Sequence, residues 1–417
     1  MRLTLTLAWR NLMRNRRRSI LTLVAVLFPV MLLDIMWGMS GAVRRNLFDN
    51  TTLLQTGHLQ VHVAGYEELQ NTLPIIPDVR PVLTALDGNP DVSWFTVRLE
   101  LPALAAQENR SRGVLVQGVE ADKALDLNLI DDWIDEGRMF AVGDTKTAVA
   151  GTALLDHLEV STGESLILVT SHPQTGTGVL VPEVIGKIDP PSRELSRFIV
   201  QVPLADAQAL VKNEHAATNV VVLLNGVNGP WDKAVIDDAA ARLQNLLGSE
   251  YIVETWEDLS PETVGLFELL TPLYLIFALI FFLLGGLVVL NTLYLSVLER
   301  TRELGVVLAL GSSRNRVLGW IEVESVVLAG LGALIGTVLG VVLVWWGSFG
   351  FNLPLTGEFE QVIKAVGFNP TLHLRMTVAE AFTSAAMMFV IALLAAAYPG
   401  WKASRLEPIE AMRFTGN

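Results

Sequence analysis

The chain of 417 residues contains no cysteine, which excludes disulfides, thiolate nucleophiles and cysteine-ligated metal sites. Charge is scarce: Asp, Glu, Lys and Arg make up 18% of residues against 51% hydrophobic ones, and with a mean hydropathy of +0.44 this excludes a disordered chain. Basic residues are the minority, 30 against 43 acids, and the net charge of -13 speaks against nucleic acid as a partner. No G-x-x-x-x-G-K-[ST], H-E-x-x-H or G-x-S-x-G occurs, so the chain is expected to hold no nucleotide, metal or cofactor and to catalyse nothing itself. The acids of the central part are dispersed and read as solvated surface. His58 and His62 are four apart on a stretch that alternates like a strand, and they read as ordinary sheet surface rather than a metal pair.

What the chain has instead is four long apolar runs, at residues 19–40, 269–298, 323–346 and 378–398. About 20 residues at a rise of about 1.5 Å cross a hydrocarbon core of roughly 30 Å, so each reads as a membrane span. A cleaved signal peptide is the rival reading of the first run, with Ser40-Gly41-Ala42 at its end; the length of the run and the three runs that follow weigh against it. Short segments on one side carry the basic residues: Arg2, Arg10, Arg14, Arg16, Arg17 and Arg18 before the first span; Arg300, Arg302, Arg314 and Arg316 after the second; Lys402, Arg405 and Arg413 after the fourth. The positive-inside rule makes that side cytoplasmic and puts both termini there.

This layout divides the chain into a cytoplasmic amphipathic helix (1–18), a first span (19–40), an extracytoplasmic domain (41–265) and a second span with a stalk (266–298). A cytoplasmic segment (299–318), a third span (323–346), an extracytoplasmic loop (347–377), a fourth span (378–398) and a cytoplasmic tail (399–417) follow. Residues 1–18 gather Leu3, Leu7, Ala8, Asn11 and Leu12 on one helical side, as an interfacial helix drawn to anionic lipid does. In the insert, residues 57–63, 114–116, 165–170, 198–202 and 219–224 read as strands, while 231–247 reads as a helix with Ala234, Val235, Ala239, Leu243, Leu246 and Leu247 on its apolar face. The fold class expected is an α-helical membrane protein with four transmembrane helices and a large α/β domain inserted between helices 1 and 2. A helix from residues 255–266 is expected to run into the second span as its stalk.

Several residues stand out against that frame. Gly332, Gly336 and Gly340 repeat every four residues and give the third span a smooth face, for packing within the protomer or for a dimer seam. Asp34, an acid inside the first span, reads either as a polar contact for cargo or a partner helix or as a snorkelling surface acid. Leu270, Pro272, Tyr274, Phe277 and Phe281 on the second span form a candidate apolar entrance to a membrane cavity, with ordinary packing as the alternative. Between spans two and three, Glu299, Arg300, Arg302 and Glu303 precede a break at Gly311 and Ser312, and Arg314 and Arg316 follow it. Two short helices around that break would offer charged, directional contacts to a partner, although a solvated turn has the same composition.

Three segments resemble the FtsX/MacB/LolC-LolE permeases, the membrane subunits of type VII ABC transporters. They are Ala8-Trp9-Arg10-Asn11-Leu12 through Arg18-Ser19; Leu298-Glu299-Arg300-Thr301-Arg302-Glu303-Leu304-Gly305 through Gly311-Ser312; and Tyr398-Pro399-Gly400-Trp401-Lys402-Ala403 through Arg413. The resemblance implies a MacB-like extracytoplasmic domain and an inner-membrane permease that dimerises with a second copy or a paralogue. It implies a separate cytoplasmic ABC ATPase dimer carrying the ATP and magnesium, with residues 299–318 as the receiver of its motion. MacB carries its ATPase at its N-terminus; this chain begins at the membrane segment, an arrangement similar to LolC and LolE. In LolC-like permeases a hairpin hooks a periplasmic carrier, and the turn Pro173, Gln174, Thr175, Gly176, Thr177 and Gly178 between strand-like segments is the corresponding place. The function expected is ATP-driven extraction or release of lipoprotein or another hydrophobic substrate. The alternatives are export of a peptide or small amphiphile, a non-transporting regulator of a periplasmic hydrolase as in FtsX, and a sensor or adhesion domain on a four-span anchor.

Overall fold

The computed structural model describes residues 16–65, 74–124, 133–172, 176–190, 193–352 and 371–405. The described residues form two compact units, one drawn from 16–43, 267–352 and 371–405, the other from 44–266.

The first helix, α1 (Arg16–Thr51), continues well past Ser40 and contains Pro29. A strand β1 (Leu59–Val63) opens the second unit, followed by α2 (Arg80–Leu86). The hairpin of β2 (Val92–Gln107) and β3 (Arg110–Val119) is its longest feature. Residues 108–109 make its turn, with Glu108 in the left-handed region at φ 49°, as a tight two-residue hairpin requires. After β4 (Ile134–Gly137) come β5 (Thr147–Gly151), α3 (Thr152–Leu158), β6 (Ile167–His172), β7 (Gly176–Leu180) and β8 (Glu183–Ile188). The unit closes with β9 (Ile199–Pro203), α4 (Leu204–Leu210), β10 (Asn219–Leu224), α5 (Lys233–Leu247) and β11 (Tyr251–Thr255).

These strands form one mixed sheet in the order β11-β1-β10-β2-β3-β9-β5-β8-β4, with β6 pairing β2 and β7 pairing β6. Period-2 alternation splits β2 between two faces. Val97, Leu99 and Leu101 join Val116 of β3 and Val200 and Val202 of β9 under α3 and α4, all of them buried. At Gly118 the helix α4 lies so close that a Cβ would strike that of Ala207. The opposite face carries Thr96, Arg98, Gln117 and Gln201, and these polar side chains are buried too.

Three sequence expectations change here. His58 and His62 are buried, not surface, because β1 is an interior strand between β10 and β11 and both of its faces are covered. The buried face of α5 is Ile236, Ala239, Ala240 and Leu243, while Val235 and Leu246 are exposed; the helix packs on β11 and α2 with the side that carries Ile236 and Ala240. The stalk is broken: residues Trp256–Leu259 form one helical turn, capped by Thr255 and Asp258 in a reciprocal box, and a new helix begins at Pro261, where the missing N–H costs nothing.

In the other unit, α6 (Pro261–Glu299) enters from the sheet unit's end of the chain, then α7 (Thr301–Ala309), α8 (Arg314–Gly347) and α9 (Val378–Ser404) follow. Among the described residues four helices, at Ser19–Thr51, Pro261–Glu299, Arg314–Gly347 and Val378–Lys402, are long and apolar enough to cross a membrane. At about 1.5 Å per residue each exceeds a hydrocarbon core of roughly 30 Å. Their shared core includes Val26, Val30, Leu33, Phe282, Met388 and Ala392. Between α8 and α9, residues Phe351–Asn352 pair antiparallel with Thr371–Leu372. The proposed interfacial helix lies outside the described residues, except for its last three positions.

Candidate functional site: the membrane helices and the turn between α7 and α8

The smooth face of α8 meets α1. A Cβ at Gly332 would lie 2.8 Å from Val26 Cβ, one at Gly336 would lie 2.7 Å from the Leu27 carbonyl oxygen, and one at Gly340 would lie 2.5 Å from Asp34 Oδ2. Of the two uses open to this face, packing within the protomer is the one observed. Gly285 of α6 does the same for the ring of Pro29, whose Cγ would stand 2.9 Å from a Cβ there. Small residues are what let helices approach where no hydrophobic drive acts between them.

Asp34 is fully buried, held against Gly340 with the Ser384 hydroxyl of α9 beside it. The snorkelling surface acid is thereby corrected: three helices enclose the carboxyl, an arrangement across sequence distance that the run around Asp34 does not reveal. Of the candidate entrance residues, Tyr274 comes near this region, its ring 6.5 Å from that of Trp37, one turn after Asp34. Leu270, Tyr274 and Phe281 are half-buried, while Pro272 and Phe277 are exposed on the outer side of α6. The structure therefore does not bring these residues together as one lining.

The segment after α6 is built as a short amphipathic helix and a turn. Glu299 ends α6, Arg300 is the N-cap of α7, and α7 turns Thr301 and Gly305 inward. Arg302, Glu303, Val306 and Leu310 face out, Leu310 at 83% exposure. Gly311 takes φ +90°, a conformation that side chains resist, and Ser312 lies in the turn. Ser313 is the N-cap of α8, whose first turn exposes Arg314 and Arg316. Arg300 differs from its neighbours. Its Nη1 donates to Glu324 Oε2 at 3.1 Å, and both side chains are mostly buried, so it fixes α8 from within rather than facing a partner. Sequence reasoning missed this pair because its members are far apart in the chain.

The candidate carrier hairpin is also redrawn. β6 runs on to His172 and β7 begins at Gly176, in register His172↔Gly176, so Gly176, Thr177 and Gly178 are strand and not turn. A Cβ at Gly178 would strike the backbone of Leu210, which ties the middle of β7 to the end of α4. Pro173, Gln174 and Thr175 lie outside the described residues.

In the sheet unit, His58 stacks on Phe48 at 5.6 Å, and its Nδ1 accepts a hydrogen bond from the Leu224 N–H at 2.9 Å. Burial pushes its pKa down to about 4; the Arg45 charge adds to this and that of Asp232 opposes it. Arg98, wholly buried, is pushed down by desolvation against the pull of Glu100. On the surface, the Arg138 guanidinium holds Asp144 below the usual carboxylate range, at 2.6 Å.

Comparison with known proteins places this arrangement. Residues 275–408, which include α7, α8 and α9, match the family model of the FtsX-like permease C-terminal region. The macrolide export ATP-binding/permease protein MacB of Rhodospirillum rubrum is 26% identical over 98% of this chain, and the chain spans 60% of its length. The lipoprotein-releasing system transmembrane protein LolC of Xylella fastidiosa is 24% identical over 78% of this chain and 79% of its own. Among solved structures, the periplasmic region of MacB from Actinobacillus actinomycetemcomitans is similar over 51% of this chain and 94% of its own, at 10% identity and a TM-score of 0.37. Among its described residues the chain thus has four helices apolar enough to cross a membrane, resembles the C-terminal region of FtsX-like permeases over residues 275–408, and is similar to MacB and LolC over most of its length.

Proposed function

We propose that this chain is the permease subunit of an ATP-driven type VII ABC transporter. ATP is hydrolysed by a separate cytoplasmic ATPase dimer, and the exposed face of α7 with the Gly311 turn receives its motion. The observation that carries this reading is a charged, solvent-facing short helix set between two membrane-crossing helices, inside the segment that matches the permease family. Two such chains, or this chain and a paralogue, complete the transporter in the inner membrane, and lipid and a periplasmic carrier are its further contacts. The cargo favoured is lipoprotein or another hydrophobic substrate, supported by the LolC relative, of which this chain spans 79%. Similarity to the macrolide exporter along 98% of the chain supports the second reading, export of a small amphiphile. Bound lipoprotein on copurification favours the first, and a tightly bound hydrolase favours a regulatory role instead.

The test is charge reversal at Arg314→Glu with Arg316→Glu, both exposed in the first turn of α8. Cargo-stimulated hydrolysis by the partner ATPase is expected to fall at least tenfold while membrane insertion persists; unchanged hydrolysis overturns the assignment. Orientation is checked in the same protein with cysteine probes. Asp144 is engaged with Arg138 and the Ala141 N–H, so the outer probe belongs at Val142, which is 79% exposed. It should react in intact cells, and one at Ser313 only after permeabilisation.

A further inference from the structure

The polar face of the sheet encloses a cavity of about 350 Å³, within the usual range of roughly 300–1,000 Å³ for small-molecule sites. Its floor lies across β1, β10, β2, β3 and β9, and its lining includes apolar and aromatic residues, Leu115 on the floor and Trp133 and Phe198 beside it. Buried polar side chains beside an apolar wall are costly unless something meets them.

The floor is wired in one direction. Gln117 Nε2 donates to Glu100 Oε1 at 2.9 Å, and a carboxylate only accepts. The carbonyl end of Gln117 therefore faces Gln201, whose Nε2 donates to it at 2.9 Å. This relay fixes the outer end of Gln201 as an oxygen. Gln201 Oε1, Asn219 Oδ1 and the Trp94 indole Nε1 are shielded and without a hydrogen-bond partner among the described residues, and all three residues line the cavity. A terminal amide torsion is broad, so a small turn presents each amide oxygen to an occupant. Among the described residues the one cation of the floor, Arg98, has Glu100 two residues along the same strand face, so the described floor is neutral in sum. Two waiting acceptors, one waiting donor and no net charge define the complement.

We propose that this cavity binds a small neutral amide with an apolar or aromatic body. Its N–H groups bond Gln201 and Asn219, its carbonyl accepts from Trp94, and its body packs on Leu115 and Phe198. An anion would meet the two amide oxygens, and a hydrocarbon would leave them unmet. The site stands apart from the permease reading, since occupancy requires no ATPase.

The test uses the full chain in detergent and three probes of one shape: N-acetyl-phenylalaninamide, the N-acetyl amino acid with its free carboxylate, and the methyl ester. Calorimetric titration is expected to show saturable binding of the amide, with the acid and the ester each at least tenfold weaker. Gln201→Met, which keeps length and removes the acceptor, should weaken the amide by about tenfold. Leu115→Trp should abolish binding by filling the space, with unchanged melting showing that each variant folds. No binding of the amide, equal binding of amide and acid, or binding retained in the filled variant overturns the proposal. If a variant fails to fold, the three-probe series on the unaltered chain decides alone.

Discussion

Substituting the same residue in the same way at two places on α8 isolates the energy of its seam with α1. Gly336→Ala puts a methyl 2.7 Å from the Leu27 carbonyl oxygen and 3.0 Å from Val30 Cβ, and backbone on that side cannot step aside as a flexible side chain would. Gly330→Ala, less than two turns earlier, meets nothing closer than a ring carbon of Phe389 at 3.9 Å. Overpacking of this kind costs about 1–3 kcal/mol, while Gly→Ala in a helix interior gains about 1 kcal/mol wherever it fits. The propensity gain is common to both variants and cancels in their difference. The two proteins should therefore differ by about 2 kcal/mol, roughly 30-fold in the folded-to-unfolded ratio, with Gly330→Ala at or above the parent and Gly336→Ala below it. Reversible unfolding in mixed micelles, followed by tryptophan fluorescence, measures both on one scale. Equal effects of the two substitutions would refute the seam.

Two other measurements bear on different parts of the molecule. His58 is held neutral by burial, its pKa near 4 in the folded chain against an ordinary 6.5, so the unfolded chain binds the extra proton first. Its contribution is complete above about pH 6.5 and is lost as pH falls toward 4, about 3 kcal/mol in all; His58→Asn, which keeps an acceptor for the Leu224 N–H, should melt with a flatter pH profile over that window. For the mostly buried Arg300 and Glu324, Arg300→Ala leaves a carboxylate without its cation and should cost about 3 kcal/mol. The exchange Arg300→Glu with Glu324→Arg should recover much of the loss, and failure of the exchange to outperform either single change would show that the charges do not act as a pair.

The membrane helices were legible because a long apolar run has few uses, and the spacing of Gly332, Gly336 and Gly340 announced a close contact without naming its partner. Strands at 198–202 and 219–224 were legible from their branched residues. Two kinds of feature were not. Alternation in β2 and β3 does not reveal that their second face, though polar, is buried, so Arg98, Gln117 and Gln201 look like solvent-facing residues until the strands are assembled. Pairings across sequence distance, such as Asp34 with Gly340 and Arg300 with Glu324, leave no local pattern. Of the candidate coupling residues, exposure separates Arg302, Glu303, Arg314 and Arg316 from Arg300, and composition alone has no means to draw that line.

The short strand before α9 has a mechanical consequence. The Leu374 N–H bonds the Gly347 carbonyl at the end of α8, and the next N–H, of Arg375, bonds the Gly38 carbonyl of α1. Side chains at Gly41 or Gly347 would intrude on this join, and one at Gly38 would strike Val344 of α8. A clasp made of main chain is indifferent to which side chains its own residues carry, so drift at positions 374 and 375 leaves it intact while drift at the glycines does not. It also removes a degree of freedom: one bond holds α8 and the next holds α1, so the two helices cannot swivel apart without giving up one of them, and under the proposed coupling a push on α8 would reach α1 as a shared tilt, the way a linked pair of oars turns with one stroke.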